Sequence, residues 1–389
     1  MKKKICFVIL SRANYGSIKS VMMAVRKDKN FILQLILGAS AVLKKFGNVN
    51  EEILKDGFKV NEYLDFQSAE LSLESMSKTV GLGLVGLSSL LKKLQPNFVV
   101  TVGDRYETMS TAIASTYMNI PLIHTMGGER TGTLDESVRH SISKLAHLHF
   151  VANQDSKIRL SKMGERTDSI FNVGCPRIDT VKKALKNYTR KSLFESINKI
   201  GVGDEIKQTE NVIVLSQHPV TSEFKSSIKN YEQTVKAISK LNNHNFKIVW
   251  LWPNSDAGSD EISGYIRKLR EKKIIRNVRF ITNISPDKYF QLLKESICIV
   301  GNSSSAIREG AFIGVPAVNI GTRQKTRLKG KNVINVRYDH KEIFNALKLQ
   351  IKKRSYKSSN IYGDGQSASK IIKILKKIKK IDTQKLNKY

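Results

Sequence analysis

The sequence is short of acidic residues and of cysteine, and it has no long apolar run. Its 34 Asp and Glu face 66 Lys and Arg, a net charge of +32. That excess could serve nucleic acid, anionic lipid or anionic small substrates. It is mostly lysine, spread along the whole chain without interleaved aromatics, and no zinc-finger spacing or RNA-binding motif accompanies it. A solvated basic surface is therefore expected, with no specific nucleic-acid partner, and its field would still attract an anionic substrate. The three cysteines, Cys6, Cys175 and Cys298, are far apart and odd in number. They exclude a disulfide framework and metal-ligand spacing, and they fit a reducing cytoplasm. No apolar stretch reaches the ~18–20 residues that span a bilayer, so no membrane insertion is expected. The opening MKKKICFVILSRANYG resembles a signal peptide in charge, but its apolar run is too short and a polar turn follows directly. It reads as a first strand. G-x-x-x-x-G-K-[ST] and a strand-borne G-x-G-x-x-G are both absent, which argues against kinase and dehydrogenase chemistry.

What is present is alternation. Short apolar strands are each followed by a polar turn and an amphipathic helix, the pattern of a mostly parallel sheet. Strands are expected at Lys4–Leu10, Phe31–Gly38, Lys59–Asp65, Phe98–Val102, Pro121–His124 and Phe150–Ala152. A second set is expected at Val212–Ser216, Lys247–Leu251, Val278–Ile281, Ile297–Val300 and Val333–Val336. The length suits two domains. The fold class is α/β, with two Rossmann-like domains facing a cleft: residues 1–178, then 179–365, then a basic amphipathic helix and tail over 366–389. That helix is expected to pack on its own domain rather than on a membrane surface.

The chain is organised around Ile297–Arg327, ICIVGNSSSAIREGAFIGVPAVNIGTRQKTR. It reads as a strand, a serine-rich turn, a helix over Ala306–Ile313 with a serine N-cap, a strand and a loop. A helix start with hydroxyls from Ser303 and Ser304 and guanidinium groups from Arg308, Arg323 and Arg327 suits a phosphate. Glu309, one turn in, suits a sugar diol. The plainer reading is a capped helix without ligand. Arg12 lies in a loop, SRANYG, between the first strand and a helix over Ser17–Arg26, and is a second phosphate candidate. Asp104 follows a strand, where catalytic groups collect, although the local pattern alone favours an N-cap. A Gly-rich loop then carries Glu129, Asp135 and Glu136, and His218 stands at another strand end. Acid and base carboxylates beside a diphosphate site suggest chemistry at a sugar anomeric carbon.

At these residues the sequence resembles the UDP-N-acetylglucosamine 2-epimerase family, most closely its hydrolysing branch, used in sialic- and legionaminic-acid-type sugar synthesis. The matching pieces are SRANYG, VGDRYE, GGERTGTLDESVRHSISKLAHLHF, GCPRIDTV, QHPVT, PNSDAGS, GNSSSAIREGAFIGVPAVNIGTRQKTR and NIYGDG, in order from residue 11 to 365. The resemblance implies a GT-B-like fold and conversion of UDP-GlcNAc and water to ManNAc and UDP. UDP is eliminated with the C2 proton, and water adds to the resulting glycal. It implies Asp104 and Asp135 as acid/base carboxylates and His218 near the diphosphate or reacting carbon. Arg12, Ser303, Ser304, Glu309 and Arg323 match the UDP-binding set, with Arg105 and Asn254 as neighbours, and Arg139 and His140 orient the loop. Neither a cofactor nor an active-site metal is required, and a homodimer or homotetramer is implied.

Two departures from the family pattern fall on the sugar side. Many members carry a catalytic Glu at the position of Met126 and a His at that of Ala41. Glu129 is a candidate to reach the space of the missing carboxylate. The losses point to a less polar sugar, nucleotide-linked N,N'-diacetylbacillosamine, as the alternative substrate. Other readings are a non-hydrolysing epimerase, a GT-B glycosyltransferase, and a non-catalytic basic binding protein on this scaffold.

Overall fold

The computed structural model describes every residue except 1, 45–48, 69–71, 133, 242–245, 254–257 and 387–389. The chain forms two compact units. Unit 1 holds Met1–Glu129, Asp135–Thr180 and Tyr362–Tyr389, and unit 2 holds Arg130–Leu134 and Val181–Ile361. The expected boundary at 178/179 thus falls two residues later. The C-terminal segment is not a separate appendage: it returns to unit 1, together with the NIYGDG motif from Tyr362 onward.

In unit 1 the strands are β1 (Lys3–Ile9), β2 (Phe31–Gly38), β3 (Glu62–Leu64), β4 (Phe98–Val102), β5 (Leu122–Thr125), β6 (Leu148–Val151) and β7 (Ile170–Asn172). Their order is β3-β2-β1-β4-β5-β6-β7, all parallel. The helices are α1 (Arg12–Lys27), α2 (Val49–Lys55), α3 (Leu73–Leu94), α4 (Thr108–Tyr117), α5 (Leu134–Leu145) and α6 (Gln154–Lys162). In such a sheet the order reverses between β1 and β4, and ligands collect at the carboxyl ends there. One face buries Cys6, Val8, Leu10, Ile36, Val99 and Leu122 under Leu87, Leu91 and Ile142.

α7 (Pro176–Ala184) carries the division between the units, and α8 (Arg190–Ile200) and β8 (Val202–Gly203) follow. Unit 2 then repeats the alternation with β9 (Asn211–Ser216), α9 (Ser227–Ser239), β10 (Phe246–Leu251), α10 (Ser259–Glu271), β11 (Val278–Ile281), α11 (Pro286–Glu295) and β12 (Ser296–Gly301). It continues with α12 (Arg308–Ile313), β13 (Ala317–Ile320), β14 (Val333–Val336) and α13 (His340–Lys353). The order is β14-β13-β12-β9-β10-β11-β8, with only β8 antiparallel. Its switch point lies between β9 and β12. Both faces are covered by apolar cores, one around Trp250 and Leu215, the other around Val214 and Phe290.

The last helix is α14 (Ser367–Lys377), and the rest of the expected helix-and-tail segment is tail. It packs on α1 with Ile371 and Leu375 buried. Asp179 caps its start, accepting from the Ser367 and Ala368 N–H groups at 2.9 and 2.8 Å. Gly174 and Gly363 meet back to back: a Cβ on Gly174 would stand 2.8 Å from the Gly363 Cα. Only two glycines allow that approach, and the Cys175 N–H donates to the Tyr362 carbonyl beside it.

Candidate functional site

At the unit 1 switch point the chain passes from strand to helix with no loop. Ser11 caps α1, its hydroxyl accepting from the Asn14 N–H at 3.3 Å. Asn14 accepts from the Leu10 N–H at 3.2 Å and donates to the Val102 carbonyl at 2.9 Å, tying the end of β1 to the end of β4. Arg12 therefore sits in the first helical turn and not in the expected loop. It is exposed, with Arg177 and Glu52 as charged neighbours.

Asp104 follows β4, and it is not an N-cap, because α4 begins only at Thr108 with Glu107 at the cap position. Its carboxylate pairs with the guanidinium of the fully buried Arg139. Arg139 also donates to the Glu129 carbonyl at 2.5 Å. One side chain of α5 thus joins the strand-end carboxylate to the Gly-rich loop. Asp135 stands one turn before Arg139, on the same face by helical spacing. Glu129 is buried at 2% exposure. His140 lies near Glu136, Nε2 to Oε1 3.8 Å. Burial and the neighbouring Arg139 charge hold the His140 pKa below its ordinary value. Arg105 is engaged by the buried Glu107, Nε to Oε1 2.7 Å.

His124, at the end of β5, is fully buried. Its Nε2–H donates to the Gly103 carbonyl at 2.8 Å, and Nδ1 faces the Ser143 hydroxyl at 3.1 Å. Burial drives its pKa down to about 3, so the ring is neutral and orients the backbone before Asp104. Met126 is buried in the left-handed region at φ 62°. Its sulfur lies 3.5 Å from the Cys175 thiol. Ala41 is buried in a turn after β2, its N–H donating to the Leu10 carbonyl.

At the unit 2 switch point, Asn302 follows β12 and clamps the backbone of His218, which follows β9. Its Oδ1 accepts from the His218 N–H at 2.7 Å and its Nδ2 donates to the His218 carbonyl at 2.8 Å. The clamp needs Gly301: at φ 130°, a Cβ there would fall 2.1 Å from the Ser216 carbonyl oxygen. The His218 Nε2 lies 3.4 Å from the Ser216 hydroxyl. Arg323 donates to the Asn302 carbonyl at 3.2 Å, so Arg323, Asn302 and His218 form one connected group. The helix expected from Ala306 is instead a 3-10 turn, Ser304–Ala306, followed by the short α12. Ser303 caps the turn, its hydroxyl 2.8 Å from that of Ser305. Arg308, Glu309 and Arg327 are buried behind it, with Arg327 donating to Gln324 at 2.6 Å. His218 also lines a small open cleft with Gln217, Glu223, Asn230 and Tyr338. Asn254 lies outside the described residues.

Sequence reasoning passed over Asn14, His124 and Asn302. Asn302, directly after β12, carried a signal in its place at a strand end; Asn14 inside α1 and His124 inside β5 did not. Among the described residues no cluster of three or more His, Cys, Asp or Glu is placed to hold a metal, and no helix is long and apolar enough to cross a membrane.

Two doubly wound sheets with polar groups gathered at both switch points define a two-domain Rossmann-like enzyme fold. The same fold is seen in the crystal structure of the UDP-GlcNAc 2-epimerase from Neisseria meningitidis bound to UDP-GlcNAc, with a TM-score of 0.81 at 19% identity, covering 96% of this chain and 100% of that one. The Methanocaldococcus jannaschii UDP-GlcNAc 2-epimerase, in complex with UDP-GlcNAc and UDP, gives 0.80 at 18% identity, covering 96% and 99%. The sequence model described as UDP-N-acetylglucosamine 2-epimerase matches residues 23–376. The UDP-N,N'-diacetylbacillosamine 2-epimerase (hydrolyzing) of Legionella pneumophila is 34% identical over 388 residues, covering 100% of this chain and 99% of its own. The GDP/UDP-N,N'-diacetylbacillosamine 2-epimerase (hydrolyzing) of Campylobacter jejuni is 32% identical over 335 residues, covering 86% and 84%. The chain belongs to the UDP-N-acetylglucosamine 2-epimerase family.

Proposed function

We propose that the chain hydrolyses a nucleotide-linked 2-acetamido sugar with inversion at C2. A carboxylate takes the C2 proton, the C2–H electrons form the C1–C2 double bond, and the C1–O bond breaks to release the nucleoside diphosphate. Water then adds its oxygen to C1 and a proton to C2 on the opposite face, giving the free 2-epimer. The observation that carries this is the Asp104–Arg139 pair, with Asp135 one helical turn away. An ion-paired carboxylate is a proton acceptor held in place, and the C2 proton is weakly acidic, so a positioned base lowers the barrier. Asp135 and Glu129 supply the remaining acid/base positions. Arg12, Ser303, Ser304, Glu309 and Arg323 bind the nucleotide, and His218 faces the diphosphate, stabilising the leaving group.

UDP-GlcNAc, giving ManNAc and UDP, is the reading the family's name supports. A specific observation favours N,N'-diacetylbacillosamine as the sugar. Met126 presents a thioether packed on Cys175 where a carboxylate is expected, and the relatives at 34% and 32% identity carry that sugar in their names. The product then enters synthesis of a sialic- or legionaminic-type acid. A cytoplasmic homodimer or homotetramer is part of this proposal. Proton NMR in D2O with UDP-GlcNAc, then with UDP- and GDP-N,N'-diacetylbacillosamine, tests it. Free nucleoside diphosphate and a free 2-epimer deuterated at C2 are expected, with the diacetylated sugar turned over faster. Silence on all three would overturn it, and an unchanged substrate preference in Met126→Glu would sink the specificity reading.

A further inference from the structure

The chain beyond α14 packs back on α5. Lys385 Nζ donates to three carbonyls at the end of α5: Ser143 at 3.1 Å, Lys144 at 2.6 Å and Ala146 at 2.7 Å. A helix leaves its last carbonyls without intrahelical donors, and a cation there also meets the negative end of the dipole. The same ammonium pairs with Glu165 Oε2 at 2.5 Å, a carboxylate with no exposed surface. Glu165 in turn holds Lys144 of α5 at 2.9 Å and His149 of β6 at 3.1 Å. Two residues earlier, the Thr383 carbonyl accepts from His147 Nε2 at 3.3 Å. The other nitrogen of that ring accepts from the Leu122 N–H, at the start of β5, at 3.1 Å.

The tail is thus fastened to α5, to β5 and to β6. α5 carries Asp135 and Arg139, and Arg139 holds Asp104. β5 leads into Met126 and Glu129. The family match stops at residue 376, before the tail. We propose that residues 382–386 are a strap that sets the position of α5, with Lys385 as a positioning residue for Asp104 and Asp135. An unstrapped α5 keeps its sequence and core face but loses the fixed end that holds its register. Misplacement of a reacting group by about 1 Å can cost up to 10²-fold in rate.

The inference rests on the epimerase reading for its kinetic consequence, and a second measurement is independent of that reading. Lys385→Met, Lys385→Arg and a chain ending at Ile381 are compared with the full chain. Lys385→Met and the shortened chain are expected to lose on the order of tenfold in kcat, with KM for the nucleotide sugar within about twofold. Lys385→Arg, which keeps charge and donors, recovers most of the loss. Hydrogen exchange at the amides of residues 140–146 quickens in the shortened chain while unit 2 is unchanged. Turnover within twofold of the full chain in both variants would overturn the strap, as would failure of both to fold, which makes the tail a folding element only. If the full chain turns over no nucleotide sugar, the epimerase reading fails by itself, and unchanged exchange in α5 would then overturn the strap.

Discussion

The two sheets share one wiring and differ in what they place at the reversal. In both, an asparagine secures the switch point: Asn14 spans the ends of β1 and β4, and Asn302 clasps the backbone after β9 from the end of β12. Around Asn14 the chemistry is ionic, with a half-buried Asp104 against a fully covered guanidinium. Around Asn302 it is hydroxyls, amides and a partly exposed arginine. In the proposed reaction the first arrangement would fix one carboxylate for proton transfer, and the second would present many weak donors to the charge of the substrate. Proton transfer tolerates little displacement, whereas anion binding is spread over several contacts, and the proposed roles match that difference.

That contrast is most open to test at Asp104. Asp104→Asn should reduce kcat by roughly 10²–10⁴-fold, the range of a lost acid/base group, while KM moves little. A KM effect larger than the kcat effect would assign Asp104 to binding and erase the contrast. Arg139→Met should cost roughly 1–3 kcal/mol of unit 1 stability by denaturant titration, because the part-buried Asp104 and the Glu129 carbonyl both lose a buried donor. Near-neutral stability would mean that the buried guanidinium is dispensable. Asn302→Ala removes both hydrogen bonds to His218 and should cost roughly 2 kcal/mol. It should raise KM for the nucleotide sugar more than it lowers kcat, and the opposite split would move His218 from the leaving group to the proton-transfer step.

A further test is of pH dependence, and it belongs to unit 1. His124, His147 and His149 are all held below their ordinary pKa, burial being the largest cause in each. A group whose folded pKa is lowered stabilises above its unfolded value and loses that contribution as pH falls. For His124 the window runs from about 6.5 down to about 3. The Glu165 carboxyl adds to the loss only at lower pH. Burial alone would raise it, but the hydrogen bonds and charges of His149 and Lys385 bring it to about 2. Denaturation midpoints should therefore be level above pH 7 and decline below 6.5, and His124→Asn should flatten the decline between 6.5 and 4.5. An identical slope in the variant would remove His124 from the account.

Much of the alternation was legible because buried parallel strands are short apolar runs bounded by turns. Phe31–Gly38, Phe98–Val102, Val278–Ile281 and Val333–Val336 have the expected bounds. What escaped was long-range or cooperative. The partner of Asp104 lies 35 residues away on a helix, and nothing local marks Arg139 as buried. SRANYG reads as a loop because Ser and Asn favour turns, yet here the same side chains cap α1 and bind the neighbouring strand. The serine turn before α12 splits because Ser303 caps at Ser305, a spacing that sequence alone does not distinguish from a longer helix. The return of residues 362–389 to unit 1 depends on the Gly174–Gly363 contact, a pairing of two positions 189 apart that no periodicity reveals.

That return has a consequence for how the molecule is made. Unit 1 cannot be finished when its seven strands have left the ribosome, because α14 and the tail are encoded after the whole of Val181–Ile361. At ~5–20 residues per second, translation leaves the α14-binding face of α1 uncovered for an interval on the order of ten seconds. Unit 2, apart from the short Arg130–Leu134 segment, is contiguous and can close in that time. The half synthesised first is therefore the half completed last, and the nascent chain carries an open apolar seam that only residues 367–377 can seal.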